Sequence, residues 1–528
     1  MPDIVTRDSD EIRWKPPQRV TAKKAGEIVC HFLDTASTSF GRATHYNTRQ
    51  EQQKAELAAH QAMMKLDRDL YALLLVLPGV MERAVQIGTK NLLGTPRNSQ
   101  TDGLLDAKME REVLYHYMRE MPPQMVFKLF QGFRVGTQET PKANNARTRK
   151  LMLRTILSSR KLDWWAVKYR SKMSEALTHA WGQKRTTVIR TILSRSARTW
   201  TDKEKKILRD SIDKYHQGKP SDVYEYVCFV LGGTRTWKTP LLKAREAAKK
   251  DLAEGSRLPP EVLEGLRSTY HQEVSKDEVL KHAAKEGTLS KKQKMTVQRQ
   301  AKKAGVKVEM DPKDYDAVRL YLYAFEMGMT GEIEEALLAK ARKAAKAFPV
   351  SYENVGILVD ASKSMAGDKT QPLRPMAAVL AMRDMLRRTA TKRAFEVTRG
   401  GNLGAESPRP SGDTELASGL LELLADGPDV IFVLSDGYEN RPAGRFAEVL
   451  GQAREIGIET PVYHINPVFA AEVGSVRELA PKLASTMPVK DPASIGLTFI
   501  RGMLEADPVR GINVLIGRAL PVLGRGGV

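Results

Sequence analysis

Residues with the means to do chemistry stand closest together at Asp360-Ala-Ser362-Lys-Ser364, a D-x-S-x-S run that places one carboxylate and two hydroxyls on a single short loop. Further along, Thr414 lies in the segment SGDTEL and Asp436 in the segment SDG. All five side chains are hard oxygen donors. A hard divalent cation such as Mg²⁺ takes about six oxygens and keeps some of its waters, which suits hydroxyls and one or two carboxylates, some of them acting through water. No His or Cys stands where zinc would need it. The two aspartates could also be read as an acid–base pair, but no nucleophile or base lies beside them in sequence, and His464 falls on a different strand. A cation-binding site with no catalytic role is therefore expected. The bland alternative is a domain of this kind whose site holds no ion.

These donors need a scaffold that brings three distant loops to one edge, and the sequence after residue 350 supplies one. Val355–Val359 and Val430–Leu434 are continuous apolar runs of strand length. Ala394–Thr398 and Pro461–Ile465 are further strand candidates. Helices are expected at about Pro375–Arg388, Leu416–Ala425 and Arg445–Ile456. Buried strands alternating with helices predict a doubly wound parallel α/β sheet, Rossmann-like, covered on both faces. In such sheets ligands sit beyond the carboxyl ends of the strands, where Asp360 and Asp436 fall.

Residues from about 20 to 345 follow a different grammar. Apolar positions recur three or four apart in Ala58–Leu77, Glu110–Met121, Gln124–Phe133, Arg147–Ser158, Trp164–Ala180, Thr187–Arg195, Asp202–Tyr215 and Asp222–Leu231, which predicts amphipathic helices. Most stop at Gly or Pro, among them Pro78, Pro122, Gly136, Gly182, Gly218 and Gly232. Helix pairs joined by short turns are the material of HEAT-type repeats, although no strict repeat is visible. The expected division is an all-helical region over 1–350 and an α/β domain over 351–528.

Charge separates the two parts. Ser351–Val528 holds 20 Lys and Arg against 21 Asp and Glu, a net of −1, leaving 64 against 42 and a net of +22 in Met1–Val350. So one-sided an excess points to a polyanion, and nucleic acid is the natural one. Between Lys281 and Lys307, nine basic residues face Glu286 alone, including Lys291, Lys292, Lys294 and Arg299. A solvated face or loop is the plain reading. Contact with phosphates explains better why such self-repulsion is retained. Lys168, Arg170 and Lys172 share helix faces beside Trp164, Trp165 and Tyr169, which could join phosphate attraction to base stacking. Either tryptophan, taken singly, is expected to be core.

Membrane and secreted classes are not expected. The longest apolar run, Leu70–Leu77, is too short to span a bilayer. Met1–Arg19 is polar and charged, unlike a secretory signal, and Cys30 with Cys228 makes no disulfide framework. A cytoplasmic protein is expected.

Several segments resemble the Ro autoantigen family, whose members join a TROVE domain to a von Willebrand A-like domain. They are Asp163-Trp-Trp-Ala-Val-Lys-Tyr-Arg170, Asp311–Tyr323, Ile333-Glu-Glu-Ala-Leu337, and the junction Phe348-Pro349 followed by Gly356-Ile-Leu-Val-Asp360-Ala-Ser-Lys-Ser-Met365. The likeness implies a HEAT-like helical-repeat ring closed by contact with the von Willebrand A domain. It implies a metal-ion-dependent adhesion site, with Ser362, Ser364 and Thr414 as ligands and Asp360 and Asp436 accepting from bound waters. It also implies a non-catalytic, monomeric RNA-binding subunit for RNA quality control. Y RNA would dock on the outer surface, single-stranded 3′ ends of misfolded non-coding RNA would enter the basic hole, and an exoribonuclease could be tethered. Where relatives carry Trp-Ser-His, this sequence has Gly182 to Arg190, placing Lys184 and Arg185 there and keeping the charge while losing the histidine. A rival reading is a protein-interaction adaptor, with a partner's carboxylate at the metal and the helical solenoid binding protein.

Overall fold

The computed structural model describes residues 14–37, 48–97, 103–135, 143–216, 218–346, 348, 351–367, 372–402, 407–467, 477–489, 500–501, 504–505 and 507–524. Helices dominate up to Lys346, and a parallel five-stranded sheet with its helices follows. The expected boundary at residue 350 and the stop at Gly136 lie outside the described residues. By contacts the chain forms two compact units: Met1–Gly88 and Asp102–Leu104 with Asp311–Val528, and Thr89–Thr101 with Leu105–Met310. The first therefore joins N-terminal helices to the α/β part.

In that first unit the sheet runs β2-β1-β3-β4-β5. Its strands are β1 (Tyr352–Ala361), β2 (Ala390–Gly400), β3 (Val430–Leu434), β4 (Val462–Asn466) and β5 (Ser485–Pro488), and every neighbouring pair is parallel. All five residues of β3 are buried, which is why this strand reads as an unbroken apolar run. Leu358, Val397, Leu420, Ile431, Val433, Phe446 and Leu450 share one core cluster. After β1 the chain crosses to β2 on one side, and after β2 it returns to β3 on the other. The order therefore reverses between β1 and β3. Loops leaving such a switch point diverge and open a crevice at the carboxyl edge. β5 was not anticipated, since four residues reading Ser-Thr-Met-Pro carry too short a pattern.

Polar contacts tie distant segments of this unit together. The indole nitrogen of Trp14 donates to Asp67 at 2.7 Å, and its backbone amide donates to Asn513 at 2.9 Å. Arg501 pairs with Asp34 at 2.9 Å. Tyr321, on the helix Ala317–Met327, donates its hydroxyl to Asp384 on the helix Arg374–Leu386. Beside it Arg383, 3% exposed, contacts Asp384 at 2.9 Å and Glu396 of β2 at 3.7 Å.

Two expected helices are each divided. The stretch Ala58–Leu77 breaks at Asp67, which ends Arg49–Leu66 and caps Arg68–Leu74 by accepting from the amides of Asp69 and Leu70. An aspartate at such a cap satisfies amides that an uninterrupted helix would have bonded itself. Trp164–Ala180 divides at Tyr169 into Leu162–Lys168 and Arg170–Trp181. There Trp165 and Tyr169 both pack against Phe127, with ring centroids 5.7 and 5.5 Å away; Trp165 is core, whereas Tyr169 and Trp164 are half-buried.

His60 is fully buried, its Nδ1 2.7 Å from the Tyr71 hydroxyl, and burial followed by the nearby Arg83 charge pushes its pKa down to about 3. The folded protein keeps this ring neutral while the unfolded chain protonates it near 6.5. His60 should therefore add no pH dependence above that pH and should cost stability progressively as pH falls towards its folded value. A His60→Gln variant is expected to lose about one kcal/mol per pH unit of acid sensitivity in that window, read from urea denaturation at pH 7 and pH 5. Identical pH slopes in variant and wild type would refute it.

Candidate functional site

Asp360 is the penultimate residue of β1 and fully buried. One carboxylate oxygen accepts from the Ser362 amide at 2.9 Å, and the other accepts from the Ser435 hydroxyl at 2.6 Å. The Ser362 and Ser364 hydroxyls are 3.0 Å apart. Asp436, two residues past β3, accepts from the Tyr438 amide at 3.1 Å and from the Ser364 hydroxyl. The segment carrying Thr414 is laid against the first loop: Lys363 N–H donates to the Gly412 carbonyl and Ser411 N–H to the Ala361 carbonyl, each at 3.0 Å. Thr414 is itself buried, its amide donating to Asn440 Oδ1 at 3.0 Å. All five residues singled out in sequence thus lie at the carboxyl edge, Asp360 at the end of β1 and the other four on the loops beyond the strands, beside the switch between β1 and β3.

Two glycines make this packing possible. At Gly400 φ is +75°, and an added Cβ would lie 2.7 Å from the Ser362 amide nitrogen. At Gly437 φ is +81°, and a Cβ would lie 3.0 Å from the Arg477 carbonyl oxygen. Both positions demand a left-handed backbone and leave no room for a side chain.

Both carboxylates are electrostatically strained by their burial. Burial raises the pKa of Asp360, partly offset by the Ser435 and Ser362 hydrogen bonds. Burial, and then the charge on Asp360, push Asp436 up to about 6. Two buried carboxylates that repel each other, set among hydroxyls, gain from a positive ion between them. Among the described residues no group of three or more His, Cys, Asp or Glu is placed to hold a metal. Here the donors are two carboxylates with three hydroxyls, an all-oxygen set that fits a hard ion such as Mg²⁺ and not zinc. Ser364 and Lys363 are exposed while Asp360, Ser362, Thr414 and Asp436 are buried, so the site is reached from the Ser364 side.

The second unit carries the basic residues. A groove of about 810 Å³ is lined by Arg134, Arg170, Ser174, Glu175, His179 and Gln183, among others. Arg170 donates from Nε to the Phe229 carbonyl at 3.0 Å and lies 4.3 Å over the Phe229 ring, with Arg245 5.1 Å from the same ring. Its hydrogen bond goes to a backbone carbonyl, leaving its charge available to an anion. Burial, then Arg134 and Arg149, lower the pKa of His179, which favours a neutral imidazole.

Lys168 is not among the residues lining this groove; its ammonium is neutralised by Glu261 at 2.6 Å. The same Glu261 oxygen accepts from Gln293 at 3.0 Å, which brings Lys168 to the helix Lys291–Thr296. Lys291, Lys292 and Arg299 are exposed, and Lys294 is half-buried. Lys172 and Lys184 are exposed, and Arg185 donates to the Ser211 hydroxyl at 2.9 Å. Sequence reasoning did not select Ser435, Asn440, Arg134, Arg149 or His179. Only the position of Ser435 directly before Asp436 could have signalled its part.

No family model and no curated protein matches this chain.

Proposed function

We propose that this chain is a non-catalytic RNA-binding ribonucleoprotein subunit of the Ro type. Its helices would be HEAT-like TROVE repeats, and its α/β part a von Willebrand A-like domain holding Mg²⁺ at an adhesion-type site. It would act in the cytoplasm in RNA quality control, with Y RNA and single-stranded ends of misfolded non-coding RNA as ligands and an exoribonuclease as a tethered partner. The observation that carries this reading is the groove in which Arg134 and Arg170 meet polar side chains and a near-neutral His179, in the region that holds the whole positive excess. Cations supply phosphate attraction, and neutral donors and acceptors can meet base edges.

Binding of a single-stranded RNA should weaken steeply with salt, because each phosphate contact contributes about 0.7 to the log–log slope. Arg170→Gln is expected to lower affinity and to reduce that slope by about one such contact. Lys168→Gln should do less, since Glu261 already neutralises that charge. Filter binding across a salt series checks this, and a wild-type affinity indifferent to salt would remove the basis of the assignment.

A second reading is supported by the exposure of Ser364 beside an otherwise buried donor set. A cation there could take a carboxylate from a protein partner, as in an adhesion-type adaptor. If the chain lacks RNA affinity yet captures acidic peptides only with Mg²⁺ present, this second reading is favoured.

A further inference from the structure

β4 bears two fully buried polar side chains, His464 and Asn466, that belong to none of the donors described above. They alternate along the strand and so point to the same face. Both reach the loop that carries Asp436. His464 Nε2 is 3.0 Å from the Ser435 carbonyl oxygen, and its Nδ1 is 3.0 Å from the Thr486 hydroxyl of β5. A carbonyl can only accept, so Nε2 carries the proton and Nδ1 accepts from the threonine. Asn466 Nδ2 donates to the Asp436 carbonyl at 3.0 Å and to the Arg477 carbonyl at 3.1 Å. Two consecutive carbonyls, those of Ser435 and Asp436, are therefore held by one neighbouring strand.

The same loop is closed in from other sides. The Ser435 hydroxyl donates to Asp360 and accepts from the Gly437 amide at 3.1 Å. A Cβ on Gly437 would approach the His464 ring to 3.2 Å. The peptide planes around Asp436 consequently have little freedom, and its carboxylate is aimed at Asp360 and Ser364 through them.

We propose that His464 and Asn466 are positioning residues for the cation site: they fix the backbone of Ser435–Asp436, so that Asp436 and Ser435 meet Asp360 in the geometry the ion requires. This rests on the reading of the five-residue set as a cation site. Its physical basis is preorganisation. A carboxylate already aimed binds an ion without first losing the freedom of its loop, and outer-shell partners of this kind typically contribute about 10–100-fold in metal affinity.

The test measures Mn²⁺ binding to the full chain by titration, reading both dissociation constant and stoichiometry. Asn466→Leu and His464→Leu keep much of the side-chain volume and remove the donors; each is expected to weaken affinity about 10–100-fold. His464→Gln can still offer an N–H to the Ser435 carbonyl and should bind close to wild type. Val449→Ala, in the apolar core of the same domain, serves as a control that destabilises without touching the loop. A misfolded fraction lowers stoichiometry, whereas lost positioning lowers affinity at full stoichiometry. Should Asn466→Leu fail to fold, Asn466→Ser carries the same expectation. Wild-type affinity in the leucine variants, or an equal loss in Val449→Ala, overturns the proposal while leaving the cation site standing. A wild-type chain that takes up no Mn²⁺ overturns the cation site and this proposal with it.

Discussion

Arg383→Ala is expected to destabilise the first unit by about 3–5 kcal/mol, the usual cost of removing one partner from a buried ionic network. The residue is 3% exposed, and its guanidinium lies among Asp384, Glu396 and Tyr321. Without it, among the described residues Asp384 keeps neutral help from the Tyr321 hydroxyl, and Glu396 keeps the half-buried Arg387. Arg383→Met should cost less than alanine, because it refills much of the volume, but it leaves the same carboxylates short of a cation. The network joins the helix Ala317–Met327 to the helix Arg374–Leu386 and to β2. Chemical denaturation followed by circular dichroism reads the effect. A loss under about 1 kcal/mol, the range of exposed ion pairs, would show that water reaches this network.

The second large effect concerns the cation. Wild-type protein should unfold at a higher denaturant concentration in Mg²⁺ than in EDTA, gaining about 2.7 kcal/mol when the free ion stands at a hundred times its dissociation constant. Asp360→Asn is expected to abolish that gain. Asparagine nearly matches aspartate in size, but its amide nitrogen cannot accept from the Ser362 amide or the Ser435 hydroxyl, and the charge attracting the ion is gone. In EDTA the variant should be close to wild type, because removing one of two repelling carboxylates relieves Asp436 and offsets the lost hydrogen bond. Identical denaturation of the wild type in Mg²⁺ and EDTA would sink the cation reading.

Much of the α/β part is legible in the sequence, for a definite reason. A strand buried on both faces must be apolar throughout, so Val355–Val359 and Val430–Leu434 announce themselves, and loops after parallel strands must emerge at one edge. Asp360, Ser362, Ser364, Thr414 and Asp436 could therefore be placed at one edge from spacing and strand order alone. The basic residues of the helical region were harder. Charge composition located the helical region, but Lys168 and Arg170, two positions apart, differ because one meets Glu261 and the other a backbone carbonyl. Glu261 lies 93 positions from Lys168, and no local pattern couples them.

What the sequence determined by itself was periodicity, charge segregation and the chemistry of the donors, since each is a property of neighbouring residues or of their sum. Only the tertiary structure decided which cations are already neutralised, that Arg134 and His179 share a groove with Arg170, and that His464 and Asn466 grip the Asp436 loop. These depend on side chains brought together across long stretches of chain. Packing selects such meetings from many that composition alone permits.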